Sequence, residues 1–175
     1  MKTRDLRSEI AGHVDQLRRY ALVLTRNPDE AADLVQDTLL RAIDASHGYN
    51  DNYDMRKWLF AILHNGWISN RRRAATRLAA DALARPALAE PASQTDHVFL
   101  TQTLAALARL PDDQRAAVVL VAVEGIGYRD AADILGVPVG TLMSRLARGR
   151  AALRDAVSGV PADVAARAPG LRVVR

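Results

Sequence analysis

The stretch Tyr128–Arg150, YRDAADILGVPVGTLMSRLARGR, has the spacing of two short helices joined by a tight turn. Helices that cross closely need a small residue at the crossing point, which Ala132 supplies. The turn needs a residue that tolerates a positive φ, and Gly136 follows four positions later. Apolar residues flank this glycine and recur along the second helix, namely Ile134, Leu135, Val137, Leu142 and Leu146. The pattern predicts a helix-turn-helix over 128–135 and about 138–156.

The outer face of the second helix is polar at its start and then rich in arginine. Its residues are Thr141, Ser144, Arg145, Arg148 and Arg150, followed by Arg154. Such a face suits the major groove of DNA, because side chains at the start of the helix reach base edges and arginines contact phosphates. The alternative interpretation is an αα-hairpin whose charges are only solvated.

The rest of the chain also favours helices, since it is rich in Ala and Leu and only 5% of its 175 residues are aromatic. Apolar residues recur at helical spacing from Leu6 to Leu24, which predicts one helix over about 4–26. The pair Asn27-Pro28 ends it, and a second helix is predicted over about 29–45. Asp54 can cap a third helix over about 55–73.

Residues 74–96 have a different composition, dominated by Ala and interrupted by Pro86 and Pro91, and we interpret them as an interdomain linker. After them, an apolar stripe and the helix start at Pro111 precede the helix-turn-helix. The predicted fold is all-α, with two small helical domains joined by a flexible linker. The predicted bounds are 1–76 for the first domain, 77–96 for the linker, 97–157 for the second domain and 158–175 for a tail. We expect a small or absent interface between the domains and therefore relative motion.

The net charge of +4 results from 24 Lys and Arg against 20 Asp and Glu, but the basic residues are clustered. Residues 71–73 are three consecutive arginines, and residues 145–154 hold four arginines and no acid. All the basic residues except Lys2 and Lys57 are arginines, whose fixed fork of donors fits phosphate and guanine edges. Nucleic acid is therefore a candidate partner.

The composition also disfavours several classes of function. The absence of cysteine excludes disulfides, thiolate catalysis and cysteine-ligated metals, and the four histidines lack ligand spacing. No P-loop, nucleophile elbow or acid–base pair indicates an enzyme, so we predict no catalytic residue, no cofactor and no metal. The first residues contain no apolar run of the kind found in signal peptides, and no stretch has the roughly 20 apolar residues that span a bilayer, so we expect neither a signal peptide nor a transmembrane helix. We expect a cytoplasmic protein without membrane insertion.

Three motifs, in this order, resemble those of bacterial RNA polymerase sigma factors of the extracytoplasmic-function (ECF) group of the sigma-70 family. They are Ala31–Ile43 (AADLVQDTLLRAI), Met55–Arg73 (MRKWLFAILHNGWISNRRR), and Leu107–Arg115 (LARLPDDQR) with the helix-turn-helix behind it. The resemblance covers about residues 5–155. It implies that the first domain is sigma region 2, which binds core polymerase and reads and melts the −10 element. It implies that the second domain is region 4, which reads the −35 element.

The first motif places Asp33, Gln36 and Asp37 on one helix face, at positions i, i+3 and i+4. In the family, this surface meets the coiled coil of the polymerase β′ subunit, where short acceptors can pair with basic and amide groups. The resemblance therefore implies core RNA polymerase as a partner, through its β′ and β subunits. The alternative is a solvated acidic face.

The resemblance places the single-stranded −10 DNA along the third predicted helix and the loop before it. Holding such a strand requires a basic track and surfaces on which bases stack. The candidate residues are Tyr49, Asn50, Tyr53, Asn65, Ser69, Arg71, Arg72 and Arg73. The two tyrosines could instead pack against the helix. Trp67 departs from the family's usual small aliphatic residue, and could pack on the linker, contact an inhibitor or lie near DNA.

The resemblance assigns the duplex −35 element to the helix-turn-helix. The candidate residues are Arg129, Thr141, Met143, Ser144, Arg145, Arg148 and Arg150. Met143 departs from the family, in which this position is often basic. Methionine can touch a thymine methyl but cannot read guanine through two hydrogen bonds. The identity of the −35 bases therefore does not follow from the sequence.

The function predicted is that of an ECF sigma factor that directs promoter-specific transcription initiation. Members of this group are commonly held inactive by an anti-sigma factor, which we expect here as a further partner. Two alternatives remain open at this point: a stand-alone helix-turn-helix regulator, and a sigma-like decoy that binds an inhibitor without reaching DNA.

Overall fold

The computed structural model describes residues 6–45, 49, 54–80 and 105–157. For residues 77–80 and 157 it describes the backbone only. The first half contains α1 (Leu6–Ala11), α2 (Val14–Thr25), α3 (Pro28–Asp44) and α4 (Met55–Ala80). The second half contains the helical stretch 105–109 (α5), α6 (Asp112–Val118), a π-helical turn (Val119–Val123), α7 (Tyr128–Leu135) and α8 (Val139–Val157). No strand occurs among these residues, and the all-α prediction is confirmed.

The first predicted helix is in fact two helices. α1 ends at Ala11, the Gly12 amide donates to the Ser8 carbonyl, and the His13 amide donates to the Ile10 carbonyl only three residues back. Glycine is a poor helix former, so the chain bends here and α2 begins at Val14. The apolar stripe nevertheless continues across the bend, since Ile10 is buried with Leu17 and Leu24 of α2.

The third predicted helix is longer than expected. α4 extends seven residues past Arg73, to Ala80, because the alanine-rich sequence that follows has a high helix propensity. Residues 77–80, the first four of the predicted linker, are therefore helical and continue α4. The rest of that linker and the tail 158–175 lie outside the described residues. The predicted cap is confirmed: the Asp54 carboxylate accepts hydrogen bonds from the amides of Arg56 and Lys57 at 2.8 and 3.2 Å.

The helix-turn-helix has the geometry that its sequence predicts. Ala132 is buried, and Gly136 adopts φ +63°, in the left-handed region. The Val137 amide donates to the Ala132 carbonyl at 3.0 Å, which closes the turn. α8 also approaches α6 closely, since a Cβ at Gly149 would lie 2.7 Å from Cγ2 of Val118.

The two halves pack against each other, in contrast to the small or absent interface expected from the sequence. α4 packs on α7, while α2 contacts α6 and the π-helical turn. Buried apolar residues of both halves form one continuous cluster. Ion pairs and hydrogen bonds between residues far apart in the chain also join the halves, and such contacts leave no periodic signal in a sequence.

Candidate nucleic-acid and protein interfaces

The acidic face of α3 is open to solvent. Asp33, Gln36 and Asp37 are all exposed, whereas Leu34 and Val35 are buried against α2 and α4. The helix is held at its start by Asn27, whose side-chain oxygen accepts from the amides of Asp29 and Glu30. The predicted set of acceptors is thus brought together on one accessible surface. Leu40 and Ile43, also exposed, add apolar area to this helix.

The three consecutive arginines lie on an exposed part of α4. Arg72 and Arg73 are exposed and form no ion pair within the described residues. Arg71 pairs with Asp112 at the start of α6, and its guanidinium lies 5.1 Å from the centre of the Trp67 ring. The track is therefore basic, but its first arginine is engaged by the second half of the protein.

The predicted base pocket is only partly within the described residues. Tyr49 is half-buried and its ring packs against Trp58 with 4.9 Å between the ring centres, as in the packing alternative. Asn50 and Tyr53 lie outside the described residues. Asn65 is exposed, and its backbone carbonyl accepts from the Ser69 hydroxyl at 2.8 Å. Asn65 and Ser69 therefore lie one turn apart on α4, ahead of the three arginines.

Trp67 belongs to a buried aromatic group and not to an exposed surface. It is 6% exposed and packs against His64 with 5.4 Å between ring centres. His64 in turn lies 3.0 Å from the Tyr20 hydroxyl through Nδ1, and Phe60 packs on Tyr20. Burial, assisted by the charge of Arg145, lowers the pKa of His64 to about 4, and burial raises the pKa of Tyr20. Both groups are therefore neutral at physiological pH.

The second helix of the helix-turn-helix presents two kinds of exposed side chain. Met143 and Val139 lie one turn apart and are 51% and 39% exposed, which makes the start of the helix apolar. Ser144 and Arg148 are exposed further along, and Arg129 is exposed on α7. The accessible face is thus apolar at the start of α8, with cationic side chains further along α8 and on α7.

The remaining residues predicted for this face are less accessible. Thr141 and Arg150 are half-buried, and the Thr141 carbonyl accepts from the Ser144 hydroxyl. Nε of Arg145 lies 3.1 Å from Asp113, so this arginine is paired within its own half. The structure therefore separates the seven predicted residues into an exposed group and a half-buried group, and Arg145 of the second group pairs with α6.

Glu124 forms the centre of a cluster that the sequence did not reveal. Its side chain is only 1% exposed, and it accepts from Arg19 of α2 at 3.2 and 3.3 Å. Arg56 of α4 pairs with the same carboxylate at 3.6 Å and donates to the Glu124 backbone carbonyl. A buried carboxylate is costly without cationic partners, so the two arginines of the first half stabilise this part of the second.

Lys57 supplies a second ion-pair cluster between the halves. Its Nζ lies 2.7 Å from both Asp130 and Asp133, one turn apart on α7. Hydrogen bonds to these carboxylates raise the pKa of the lysine.

Arg115 makes the most buried contact between the halves. Its guanidinium donates to the Leu24 carbonyl at the end of α2 and to the Leu110 carbonyl, and it pairs with Asp112. Arg26 donates in the other direction, to the Ala108 carbonyl at 3.1 Å. The sequence does show that Glu124 directly follows the apolar run 116–123 and that Arg115 ends the motif 107–115. It does not show which residues these two charged side chains contact.

Within the described residues, no group of acidic and histidine side chains is arranged to hold a metal ion. No helix there is long and apolar enough to cross a bilayer.

Two family models match the chain, one in each half. Residues 10–64 match the "Sigma2 domain of PhyR", and residues 100–153 match "Sigma-70, region 4". The second match contains the motif 128–150 of the helix-turn-helix, and the first contains the acidic face of α3.

Curated relatives extend the similarity over both halves. The chain is 40% identical over 152 residues to the ECF RNA polymerase sigma factor EcfG of Rhodopseudomonas palustris (strain TIE-1), covering 86% of this chain and 84% of the relative. It is 36% identical over 141 residues to the ECF RNA polymerase sigma factor SigM of Mycobacterium tuberculosis (strain ATCC 25618 / H37Rv), covering 81% and 71%.

A solved structure has the same arrangement of helices. The sigma factor RpoE of Bartonella quintana, in complex with the anti-sigma factor NepR, matches with a TM-score of 0.80 and 31% identity, over 91% of this chain and all of that one. A two-domain helical protein with these matches is a sigma factor, a transcription initiation factor. The chain belongs to the ECF group of RNA polymerase sigma factors.

Proposed function

We propose that the three surfaces described above divide the work of this ECF sigma factor. The exposed acceptors Asp33, Gln36 and Asp37 bind the β′ subunit of core polymerase. The observation that carries this assignment is that α3 gathers these three acceptors on an exposed face while its apolar side is buried. Binding to polymerase also places the protein in the cytoplasm.

The −10 element is assigned to the exposed end of α4. Arg72 and Arg73 carry the free positive charge there, and Asn65 and Ser69 lie one to two turns earlier on the same helix. Single-stranded DNA binds to such basic tracks through its phosphates, so this end of α4 would hold the melted strand. Tyr49, Asn50 and Tyr53 remain candidates for contacts with its bases.

The −35 element is assigned to the accessible face of α8. Arg148 and Arg129 are placed to contact phosphates, and Met143 and Ser144 lie where base edges would be read. Thr141, Arg145 and Arg150 are half-buried and would act from the flank of this face.

An anti-sigma factor is the proposed regulator. The similarity to the sigma factor of the Bartonella complex extends over both halves of the chain. A partner that binds both halves in this arrangement would withhold the protein from polymerase or promoter DNA.

The test of the whole assignment is transcription in vitro with purified core polymerase on a pool of genomic fragments. We expect initiation at a selected set of promoters that share two elements. A protein that binds duplex DNA tightly by itself and initiates nothing would be a stand-alone regulator instead.

The polymerase surface is tested by Asp37→Arg. Reversing this charge should weaken binding to core polymerase by at least tenfold, since a charge-assisted contact contributes about 1.5–3 kcal/mol. The control is Asp15→Arg on α2, an exposed acid with the same change of charge. Equal polymerase affinity of the two variants, with unchanged circular dichroism, would contradict the assignment of α3.

A further inference from the structure

The last turn of α3 carries a cation that is not neutralised by its acidic neighbours. Arg41 is exposed and forms no ion pair within the described residues, although Asp37 and Asp44 lie within about one turn of it on the same helix. Its guanidinium reaches α4 instead, where Nη1 would lie 3.9 Å from a Cβ built on Gly66. Arg41 therefore lies at the junction of α3 and α4, at the edge of the acidic face.

Helices α3 and α4 approach each other closely at this junction. Gly66 is buried, and a Cβ there would lie only 3.2 Å from Cδ1 of Leu34, which is tighter than an ordinary contact. The missing side chain at Gly66 thus lets the two helices pack at short range. As a consequence, the end of α3 with Arg41 is brought down to the surface of α4.

The side of α4 that begins under Arg41 continues into the surface assigned to the −10 element. Four residues at positions i, i+3, i+4 and i+7 share this side of the helix, namely Gly66, Ser69, Asn70 and Arg73. Exposure increases along the row, since Gly66 is buried, Ser69 is half-buried and the last two are exposed. The row therefore emerges from beneath α3 and opens to solvent towards the arginines.

Arg41 and Arg73 are the cations at the two ends of this row. Seven residues separate Gly66 from Arg73, which corresponds to about 10 Å along the helix axis. Only the uncharged polar side chains of Ser69 and Asn70 lie between them on this side, and α4 contains no acidic residue. Single-stranded nucleic acid binds along such cationic tracks through its phosphates.

We propose that Arg41 binds a phosphate of the melted −10 strand, so that α3 serves polymerase through its acidic face and promoter DNA through its last turn. The strand lies along the row from Gly66 to Arg73, with one arginine at each end. A guanidinium suits this role because its fork of donors can bind two phosphate oxygens at once. The inference rests on the proposed assignment of the −10 element to α4, and it adds a residue from a different helix.

Two other roles of Arg41 give different experimental results. A positive side chain in the last turn complements the macrodipole of α3, which affects the stability of the helix and not the binding of DNA. Because Arg41 lies beside Asp37, it could also belong to the polymerase surface, and its loss would then reduce the affinity for core polymerase.

The test is binding of a single strand by the holoenzyme, which is core polymerase with the full chain. The probe is a labelled single-stranded oligonucleotide with the −10 sequence of a promoter selected from the genomic pool, titrated at several salt concentrations. Arg41→Ala should weaken binding about two- to fivefold, as expected for an exposed ion pair. It should lower the slope of log affinity against log salt by about 0.7, the contribution of one phosphate on a single strand.

Two further variants make the result specific. Arg41→Lys keeps the positive charge and should keep the salt slope of the wild type. Arg18→Ala is the matched control, because it removes the same charge from an exposed arginine of α2 that forms no ion pair in the described part of the chain. It should leave both affinity and slope unchanged. Affinity for core polymerase and circular dichroism should be unchanged in all three variants.

Neutral methylphosphonate linkages, introduced one at a time into the oligonucleotide, locate the contact. The wild-type holoenzyme should lose affinity at each linkage that it contacts. Arg41→Ala should be insensitive to substitution at one of these linkages, because the charge pair is already absent, and Arg73→Ala should be insensitive at a different one. An indirect, structural role of Arg41 would change the effects of all linkages alike.

The results separate this inference from the assignment of function. Arg41→Ala holoenzyme that keeps the wild-type salt slope, keeps the wild-type pattern of methylphosphonate effects, or binds core polymerase more weakly overturns the phosphate contact of Arg41. Wild-type holoenzyme that binds the −10 strand no better than an unrelated strand overturns the assignment of function instead.

Discussion

At the scale of single residues, His64 of the buried aromatic group makes the free energy of unfolding depend on pH. Its folded pKa of about 4 lies below the ordinary value of 6.5, so the unfolded chain binds a proton at a higher pH than the folded one. The free energy of unfolding has its full value above about pH 6.5. It decreases as the pH falls towards 4, by about 3 kcal/mol at most.

Chemical denaturation at a series of pH values measures this dependence. His64→Gln, whose amide can still bond to the Tyr20 hydroxyl, should flatten the slope between pH 6.5 and 4. His13→Gln is the control, because His13 is only half-buried and bonds weakly to Gln16 at 3.3 Å. Equal slopes for both variants would show that other groups cause the acid sensitivity.

Met143 and Val139 form an apolar edge where the helix-turn-helix is assigned to DNA. Apolar side chains distinguish thymine by its methyl group, so replacing single thymines of the −35 element by uracil should weaken promoter binding by the holoenzyme. One methyl contributes about 0.8 kcal/mol, which corresponds to about fourfold at the contacted position.

Variants of the same helix make this test specific. Met143→Ala should abolish the difference between thymine and uracil, whereas Arg148→Ala should keep the difference and lower the salt slope of binding by about one. A wild-type protein that binds thymine and uracil promoters equally well at every position would exclude methyl readout.

At the scale of helices, the crossing of α8 on α6 depends on Gly149. A Cβ there would lie 2.7 Å from Cγ2 of Val118, and a β-branched valine has little freedom to move away. We expect Gly149→Ala to reduce the free energy of unfolding by about 1–3 kcal/mol, the usual cost of overpacking.

Gly140 is the matched control on α8, since nothing lies within 4 Å of a Cβ built there. Gly140→Ala should be neutral or stabilise the protein by up to about 1 kcal/mol. Denaturation by urea compares the two variants, and a Gly149→Ala protein as stable as the wild type would show that the crossing adapts.

Helix existence and the helix-turn-helix were predictable because both depend on local signals. A glycine with a small residue four positions before it and apolar residues around both indicates such a turn, and Gly136 and Ala132 form this pattern here. The bend at Gly12 and the end of α4 were not predicted correctly. A glycine within an apolar stripe is compatible with a continuous helix, and an alanine-rich segment is compatible with either a linker or a helix.

At the scale of the whole molecule, the prediction of two helical domains is confirmed, but their contact could not be read from the sequence. Glu124 and Arg19 are separated by 105 positions, and each alone resembles an ordinary surface charge. The burial of Trp67 shows the same limit, since its partners come from three-dimensional packing. The polymerase and promoter assignments remain predictions, because they concern exposed residues whose partners are other molecules.

Arg115 has a consequence for how the protein unfolds. Helix ends leave carbonyls without a partner, and the Leu24 carbonyl at the end of α2 receives its hydrogen bond from this guanidinium in the other half. Melting the second half would remove this hydrogen bond and leave the Leu24 carbonyl to water, so unfolding of the second half lowers the stability of the first. Because buried apolar residues of both halves also form one continuous cluster, we expect the two halves to unfold in one cooperative transition.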